Sequence, residues 1–101
     1  MTNYKYDVVY SKKFKKSLKK ITKQNKDIDI LLDVIDKLAY KQELDITYNN
    51  HKLINYTKGG EYWECHLGGR KSDWLLIYQY DDDELILLMV DTGSHSELFG
   101  K

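Results

Sequence analysis

The chain has 101 residues, of which 42% are hydrophobic and 32% charged, and its formal net charge is zero. This size and composition predict one soluble globular domain over residues 1–101 and exclude a disordered polymer. The sequence has no run of 18 apolar residues, so it predicts no transmembrane helix. The single Cys65 excludes a disulfide framework within the chain. The N-terminus lacks the pattern of a signal peptide, so the expected compartment is the cytoplasm.

Charge is distributed unevenly along the chain. Residues 1–26 contain nine lysines and one acidic residue, whereas residues 27–101 contain seven basic and fifteen acidic residues. The basic segment predicts a surface that binds a polyanion, with Lys12, Lys13 and Lys16 as candidate contacts. A lysine-rich helix that is simply solvated explains the same pattern and is the more common outcome for a charge run alone.

The first half of the chain predicts a strand and two helices. Residues 4–10 are rich in β-formers and predict a strand, after which Ser11 can cap a helix. The apolar stripe of that helix is Phe14, Leu18 and Ile21. Asp27 can cap a second helix, whose apolar face is Ile28, Leu31, Leu32, Ile35, Leu38 and Ala39. The short link between the helices predicts an antiparallel hairpin.

The second half predicts three strands. Residues 61–67 alternate, and we take as the core face Trp63, Cys65 and Leu67. The opposite face carries Tyr62, Glu64 and His66, and His66 is then expected to be exposed.

Two further strands are predicted over residues 73–80 and 85–90, with an acidic turn between them. The last strand is apolar on both faces, so it is expected inside the sheet under helices, and Gly93 ends it. The predicted order is β-αα-βββ, an α+β fold in which an antiparallel sheet packs against an N-terminal helical hairpin.

Four polar residues lie at or beside predicted strand ends: His51, His66, Asp73 and His95. Histidine exchanges protons near neutrality, so the set is suited to acid–base chemistry. The set also has suitable chemistry for Zn²⁺, but the usual short ligand spacings are missing, so we predict neither a metal nor another cofactor. Taken alone, each histidine is more often a surface or hydrogen-bonded residue. Our hypothesis is that the fold brings the three histidines onto one concave face that acts on RNA.

Four motifs occur along the chain in a recognisable order. They are His-Lys-Leu at 51–53, Glu-Cys-His at 64–66, Asp-Trp-Leu-Leu-Ile-Tyr at 73–78 and Thr-Gly-Ser-His-Ser-Glu-Leu-Phe at 92–99. This order resembles the YafQ branch of the RelE/ParE toxin superfamily. The last two motifs are fairly specific together, and with the basic helix and the hairpin the resemblance covers nearly the whole chain.

The resemblance implies a toxin of a type II toxin–antitoxin pair that cuts mRNA in the ribosomal A site without a metal. The implied functional positions are His51, His66, Asp73, Trp74, His95 and Phe99. RNA supplies the nucleophile, its 2′-OH, so the enzyme needs a general base and a general acid.

Roles for these positions follow from the resemblance and from their chemistry. We expect His95 to be the general acid, with Asp73 or His66 as the base. His51 is expected to orient groups or stabilise charge. The two aromatic positions, Trp74 and Phe99, are expected to position an RNA base or to support the site.

One position departs from the family's pattern. An arginine that can neutralise the scissile phosphate often precedes Thr-Gly-x-His in this family, whereas this chain has Asp91 there. Our hypothesis is that Arg70 or Lys71, in the loop between His66 and Asp73, supplies the missing cation.

The resemblance also implies partners. These are an antitoxin of the ribbon-helix-helix type, the ribosome and mRNA, and the lysine-rich helix could bind either RNA or antitoxin. Three rival functions stay open: a ParE-like, non-enzymatic gyrase inhibitor, a catalytically weakened toxin that keeps its antitoxin and ribosome binding, and a plain RNA-binding or ribosome-binding module. The set of three histidines argues against the gyrase inhibitor.

Overall fold

The structure is a computed structural model that describes residues 5–53, 60–68 and 72–100. Its sheet has five strands: β1 (Asp7–Tyr10), β2 (His51–Lys52), β3 (Trp63–Leu67), β4 (Trp74–Asp81) and β5 (Ile86–Gly93). Its helices are α1 (Lys12–Lys23), α2 (Ile28–Ala39) and α3 (His95–Phe99), with a short 3-10 helix at Ile46–Tyr48. Within the described ranges no helix could span a bilayer, since the longest have 12 residues and a crossing needs about 20.

The strands lie in the order β1-β5-β4-β3-β2. The predicted α+β fold with the order β-αα-βββ is confirmed, and β2 and α3 are additions to it. The sheet is antiparallel from β5 to β2, whereas β1 pairs with β5 in parallel. β1 lies near the start of the sequence and β5 near its end. The local alternation of residues therefore carries no information about their pairing.

Both predicted helix starts are confirmed. The Ser11 side chain accepts a hydrogen bond from the backbone N–H of Phe14, and the Asp27 side chain accepts one from that of Asp29. Each cap satisfies a backbone donor that the first helical turn leaves without a partner. Ser11 Oγ also donates to the carbonyl oxygen of Val90, 2.7 Å away, which fastens the start of α1 to β5.

The core lies between the helical hairpin and one face of the sheet. Its fully buried members include Phe14, Ile21, Leu31, Val34, Leu76, Tyr78, Leu87 and Met89. Burial of one such side chain contributes about 1.5–3 kcal/mol, so these residues dominate the stability. One prediction was wrong: Leu32 is 50% exposed, because on a helix it lies about 100° around the axis from the buried Leu31.

The exposure predicted for His66 on the second face of β3 was also wrong. Glu64 is only 3% exposed, and the side chain of His66 is 14% exposed. The cause is the pairing of β2 with β3, which sets His51 directly opposite Glu64. The side chain of His51 therefore lies beside those of Glu64 and His66, and the latter two are largely withdrawn from water.

Candidate active site

Three histidines from different parts of the chain lie in a row. His51 is on β2, His66 is on β3, and His95 is the first residue of α3. The ring centres of His51 and His66 are 6.3 Å apart, and those of His66 and His95 are also 6.3 Å apart. The fold therefore brings together the three histidines that the sequence singles out.

His51 is held through both ring nitrogens. Its Nδ1 is 2.7 Å from the carbonyl oxygen of Asn49, which adopts a left-handed conformation with φ 46°. Its Nε2 is 3.1 Å from Oε1 of the buried Glu64. The neighbouring Asn50 accepts a hydrogen bond from the hydroxyl of Tyr78, which ties the turn before β2 to the middle of the sheet.

His66 has a different set of partners. Its Nδ1 is 3.2 Å from the carbonyl oxygen of Ser72, so this nitrogen carries the hydrogen and donates it. Its Nε2 is 3.4 Å from the side-chain nitrogen of Asn49 and 3.9 Å from Oε1 of Glu64. In the neutral ring, Nε2 is therefore the nitrogen that bears a lone pair.

His95 is oriented by Asp73. Its Nδ1 is 3.1 Å from Oδ1 of Asp73, and its backbone N–H donates to the same oxygen over 3.3 Å. The side-chain hydrogen bond, followed by the backbone one, holds the pKa of the Asp73 carboxyl below its ordinary value. Asp73 is thus an ionised acceptor that fixes the His95 ring through Nδ1 and leaves Nε2 for proton exchange.

A capping box sets the start of α3. Ser94 Oγ accepts from the backbone N–H of Glu97, and Glu97 Oε1 accepts from the backbone N–H of Ser94. The hydrogen bond from the Ser94 backbone is the main reason that the pKa of Glu97 falls to about 2, with Lys20 and Gln24 contributing further. Gly93 permits the turn into this box, since a Cβ there would lie 3.0 Å from Glu97 Oε1.

The two aromatic positions lie in different surroundings. Trp74 is 5% exposed, and its Nε1 donates to Thr92 Oγ1, 2.9 Å away. Thr92 Oγ1 in turn donates to the Leu75 carbonyl oxygen, so Trp74 links β4 to β5 beneath the site. Phe99 is 39% exposed, and its ring centre is 5.7 Å from that of His95. Of the two, Phe99 is the one that a nucleobase could contact.

Asp91 is a structural residue. It is 3% exposed and accepts hydrogen bonds from the Ser17 hydroxyl and from the Thr92 backbone, with Lys13 Nζ 3.6 Å away. Its negative charge is therefore compensated by Ser17 and Lys13 of α1. The two residues proposed to replace the family's arginine, Arg70 and Lys71, lie outside the described residues.

Glu64 lies within the candidate site, and the sequence did not indicate a role for it. It contacts two of the three histidines, and its carboxylate is almost fully withdrawn from water. The available signal was its position two residues before His66, which places the two side chains on the same face of one strand. Its contact with His51 depends on the pairing of β2 with β3, and no local pattern predicts that pairing.

The lysines of α1 extend toward α3, whose first residue is His95. Lys12, Lys13 and Lys16 are exposed, and Lys13 also pairs with Asp91. Further along, Lys20 Nζ is 3.3 Å from Glu97, and Lys26 Nζ is 5.9 Å from the centre of the Trp74 ring. The basic surface of the first helix therefore continues to the elements that hold His95.

The histidine row is exposed at its two ends, since the side chains of His51 and His95 are 42% and 56% exposed, whereas that of His66 between them is 14% exposed. A cavity of about 770 Å³ lies between the end of α2 and strands β3 and β4, and its described lining includes Asn49 but not the three histidines. Within the described residues, no three or more His, Cys, Asp and Glu side chains are grouped to hold a metal ion. A row of histidines that is exposed at both ends, near a basic helix, suits a polymeric anion.

The fold and the site define a small α+β protein of the bacterial toxin class. A family model described as "Bacterial toxin of type II toxin-antitoxin system, YafQ" matches residues 6–100. The chain belongs to the YafQ family of toxins of type II toxin–antitoxin systems, and the predicted resemblance is confirmed.

Solved structures agree with this assignment. A metal-bound toxin from Helicobacter pylori is 39% identical with a TM-score of 0.83, over 93% of this chain and 99% of that one. YafQ in the E. coli DinJ-YafQ toxin–antitoxin complex is 32% identical with a TM-score of 0.79, over 95% and 99%. YafQ from E. coli strain BL21(DE3) is also 32% identical with a TM-score of 0.79, over 94% and 99%. No protein with a curated description shows significant similarity to the chain.

Proposed function

We propose that this toxin is an endoribonuclease of the bacterial cytoplasm that cleaves mRNA in the ribosomal A site by acid–base catalysis, without a metal. The observation that carries the proposal is the row of three histidines, whose ring nitrogens have different hydrogen-bond partners. The three rings are held by different partners, and the cleavage of RNA by its own 2′-OH needs one group to take a proton and another to give one.

His66 is the proposed general base. Its Nδ1 donates to the Ser72 carbonyl, which leaves the lone pair of Nε2 to accept the proton of the 2′-OH. Asp73 was the other candidate. Its lowered pKa makes it a weak proton acceptor, and its oxygen already binds His95, so we assign it to orienting that ring.

His95 is the proposed general acid. Asp73 binds its Nδ1 and orients the ring, so Nε2 can donate a proton to the 5′-oxygen of the leaving nucleotide. The 2′-oxygen forms a bond to phosphorus as the bond to the 5′-oxygen breaks, and the products are a 2′,3′-cyclic phosphate and a 5′-hydroxyl. Acid and base nitrogens each lie about 2.6–3.2 Å from their oxygens in such a reaction, which is compatible with rings centred 6.3 Å apart.

Binding of the negatively charged RNA phosphates is the second requirement for cleavage. We assign phosphate contacts along the strand to Lys12, Lys13 and Lys16, and the cation at the scissile phosphate to Arg70 or Lys71. Phe99, exposed beside the general acid, is the proposed stacking partner of a base.

An antitoxin is the proposed protein partner. The similar E. coli protein is described in a DinJ-YafQ toxin–antitoxin complex, and free cleavage of mRNA would harm the host cell. We propose an antitoxin with a ribbon-helix-helix DNA-binding end and an acidic segment that covers the lysines of α1, since opposite charges favour association.

Induction in a bacterial host tests the proposal. New mRNA 5′ ends in phase with codons are expected for the wild-type chain, and few or none for His95→Ala produced at the same level. DNA damage without new RNA ends would favour the gyrase inhibitor and contradict the proposal. Arg70→Ala and Lys71→Ala test the cation, and unchanged cleavage by both variants would contradict that assignment alone.

A further inference from the structure

Glu64 is a buried acidic residue that lies between His51 and His66. We propose that Glu64 is a positioning residue of the active site, which fixes His51 as a hydrogen-bond donor and stabilises the charge that His66 acquires as general base. The consequence for cleavage rests on the proposed function, whereas the consequence for His51 does not.

The burial of Glu64 is costly unless its charge is compensated. Its side chain is 4% exposed, and an uncompensated buried carboxylate is strongly unfavourable. Its neighbour across the sheet on β4 is Ile77, so an apolar residue at position 64 would pack there without that cost. The compensating group is the ring of His51, whose Nε2 lies 3.1 Å from Oε1. His66 Nε2 lies 3.9 Å from the same oxygen.

The partners of His51 require a proton between its ring and Glu64. Nδ1 faces a carbonyl oxygen, which only accepts, so Nδ1 carries a hydrogen. If Nε2 carried none, its lone pair would face the lone pairs of a carboxylate oxygen at 3.1 Å, which is repulsive. One proton therefore lies between Nε2 and Oε1, and His51 has no free lone pair with which to act as a second base.

His66 is affected through the same oxygen. Its tautomer is set by Ser72, so Nε2 is the nitrogen that takes up the proton of the 2′-OH. The ring then becomes positively charged beside a carboxylate oxygen 3.9 Å from Nε2, and opposite charges at that separation attract strongly where water is largely excluded. Glu64 would therefore act in the transition state more than in substrate binding, and its loss should lower kcat more than it raises KM.

Glu64→Gln is the test variant, because glutamine has nearly the same shape and no charge. Its amide can donate to His51 Nε2, so that nitrogen would lose its proton. Glu61→Gln is the matched control, since Glu61 is exposed and pairs with Lys52 over 2.7 Å. Glu64→Asp keeps the charge and is expected to recover part of the activity that Glu64→Gln loses.

Two readouts are needed for each variant. Nitrogen-15 NMR of the labelled imidazoles should show a protonated His51 Nε2 in the wild-type chain and in Glu61→Gln, and an unprotonated one in Glu64→Gln. In ribosome-dependent cleavage, Glu64→Gln should lower kcat on the order of 10–100-fold with KM changed less than about threefold.

The outcomes separate this proposal from the proposed function. A wild-type His51 Nε2 without a proton, or full cleavage by a folded Glu64→Gln variant, would overturn the proposal. If Glu64→Gln does not fold, Glu64→Asp decides: a protonated His51 Nε2 with partly retained cleavage supports the proposal, and an unprotonated one overturns it. If the wild-type chain does not cleave mRNA, the proposed function fails, and the NMR result alone decides the role of Glu64 toward His51.

Discussion

The hydroxyl of Ser17 on α1 donates a hydrogen bond to the buried carboxylate of Asp91 on β5, with 2.5 Å between the two oxygens. The same carboxylate accepts from the Thr92 backbone and lies 3.6 Å from Lys13 Nζ. The acidic residue at the position where this family often has arginine therefore fastens the first helix to the sheet. Its charge is satisfied there, so it is not a carboxylate directed at the phosphate.

Replacement of Asp91 should destabilise the fold. Asp91→Ala removes the acceptor of the Ser17 hydroxyl and of a buried backbone N–H, and an unsatisfied buried donor costs about 1–3 kcal/mol. The free energy of unfolding, measured by urea denaturation, is expected to fall by that amount.

The matched control for this variant is Asp33→Ala. Asp33 forms an exposed ion pair with Lys37 on α2, with the charged atoms 3.1 Å apart. Exposed pairs of this kind contribute about 0.3–0.5 kcal/mol. Equal losses for Asp91→Ala and Asp33→Ala would contradict the assigned role of Asp91.

The fold was largely predictable because its signals are local. Ser11 and Asp27 are followed by helical periodicity, and the caps are found where they were expected. The apolar run before Gly93 is typical of an inner strand, and β5 lies between β1 and β4. What local signals could not show was pairing between distant segments, namely the parallel β1–β5 pair and the two-residue β2.

The grouping of the three histidines was predictable from the sequence, and the contacts around them were not. Motif order indicated His51, His66 and His95, and the structure brings their rings together. The burial of Glu64 depends on β2, so an alternating pattern does not predict it. Likewise, the contact of Asp91 with α1 is a tertiary contact that a residue-type comparison with a family pattern does not include.

Replacement of Trp74 should mainly lower stability, and replacement of Phe99 should mainly lower cleavage. Trp74→Phe removes the indole N–H that binds Thr92, so the free energy of unfolding should fall by about 1 kcal/mol while cleavage changes little. Phe99→Ala removes an exposed ring beside His95, so cleavage should fall about tenfold or more, since stacking of one base contributes about 1–3 kcal/mol. Urea denaturation and single-turnover cleavage of both variants measure this. The reverse pattern would show that Trp74 contacts RNA.

The capping box of α3 should make stability depend on pH. The pKa of Glu97 is lowered to about 2 from an ordinary 4.5, so its ionised form stabilises the folded state above pH 4.5. This stabilisation is lost as the pH falls from 4.5 toward 2. Glu97→Gln lacks it, so the wild-type chain should be the more stable at pH 7, and the difference should shrink over that window. Urea midpoints at pH 7, 5, 4 and 3 measure the difference, and a constant difference would contradict the role of Glu97.

The exposed lysines of α1 should contribute to the binding of RNA or ribosomes through their charge alone. Lys12→Gln and Lys16→Gln are each expected to weaken binding to RNA or ribosomes and to reduce the slope of log affinity against log salt by about 1. Lys37→Gln, on α2 and paired with Asp33, is the control and should leave the slope unchanged. Equal slopes for the wild-type chain and all three variants would show that these lysines are not part of the binding surface.

Cleavage by the histidine row should depend on the 2′-OH of the nucleotide at the cut. Single-turnover cleavage of ribosome-bound mRNA that carries either a ribose or a 2′-deoxyribose at that nucleotide measures this dependence. We expect cleavage of the ribose substrate with a 2′,3′-cyclic phosphate end, and no cleavage at the deoxyribose. Cleavage of both substrates at similar rates would contradict this dependence.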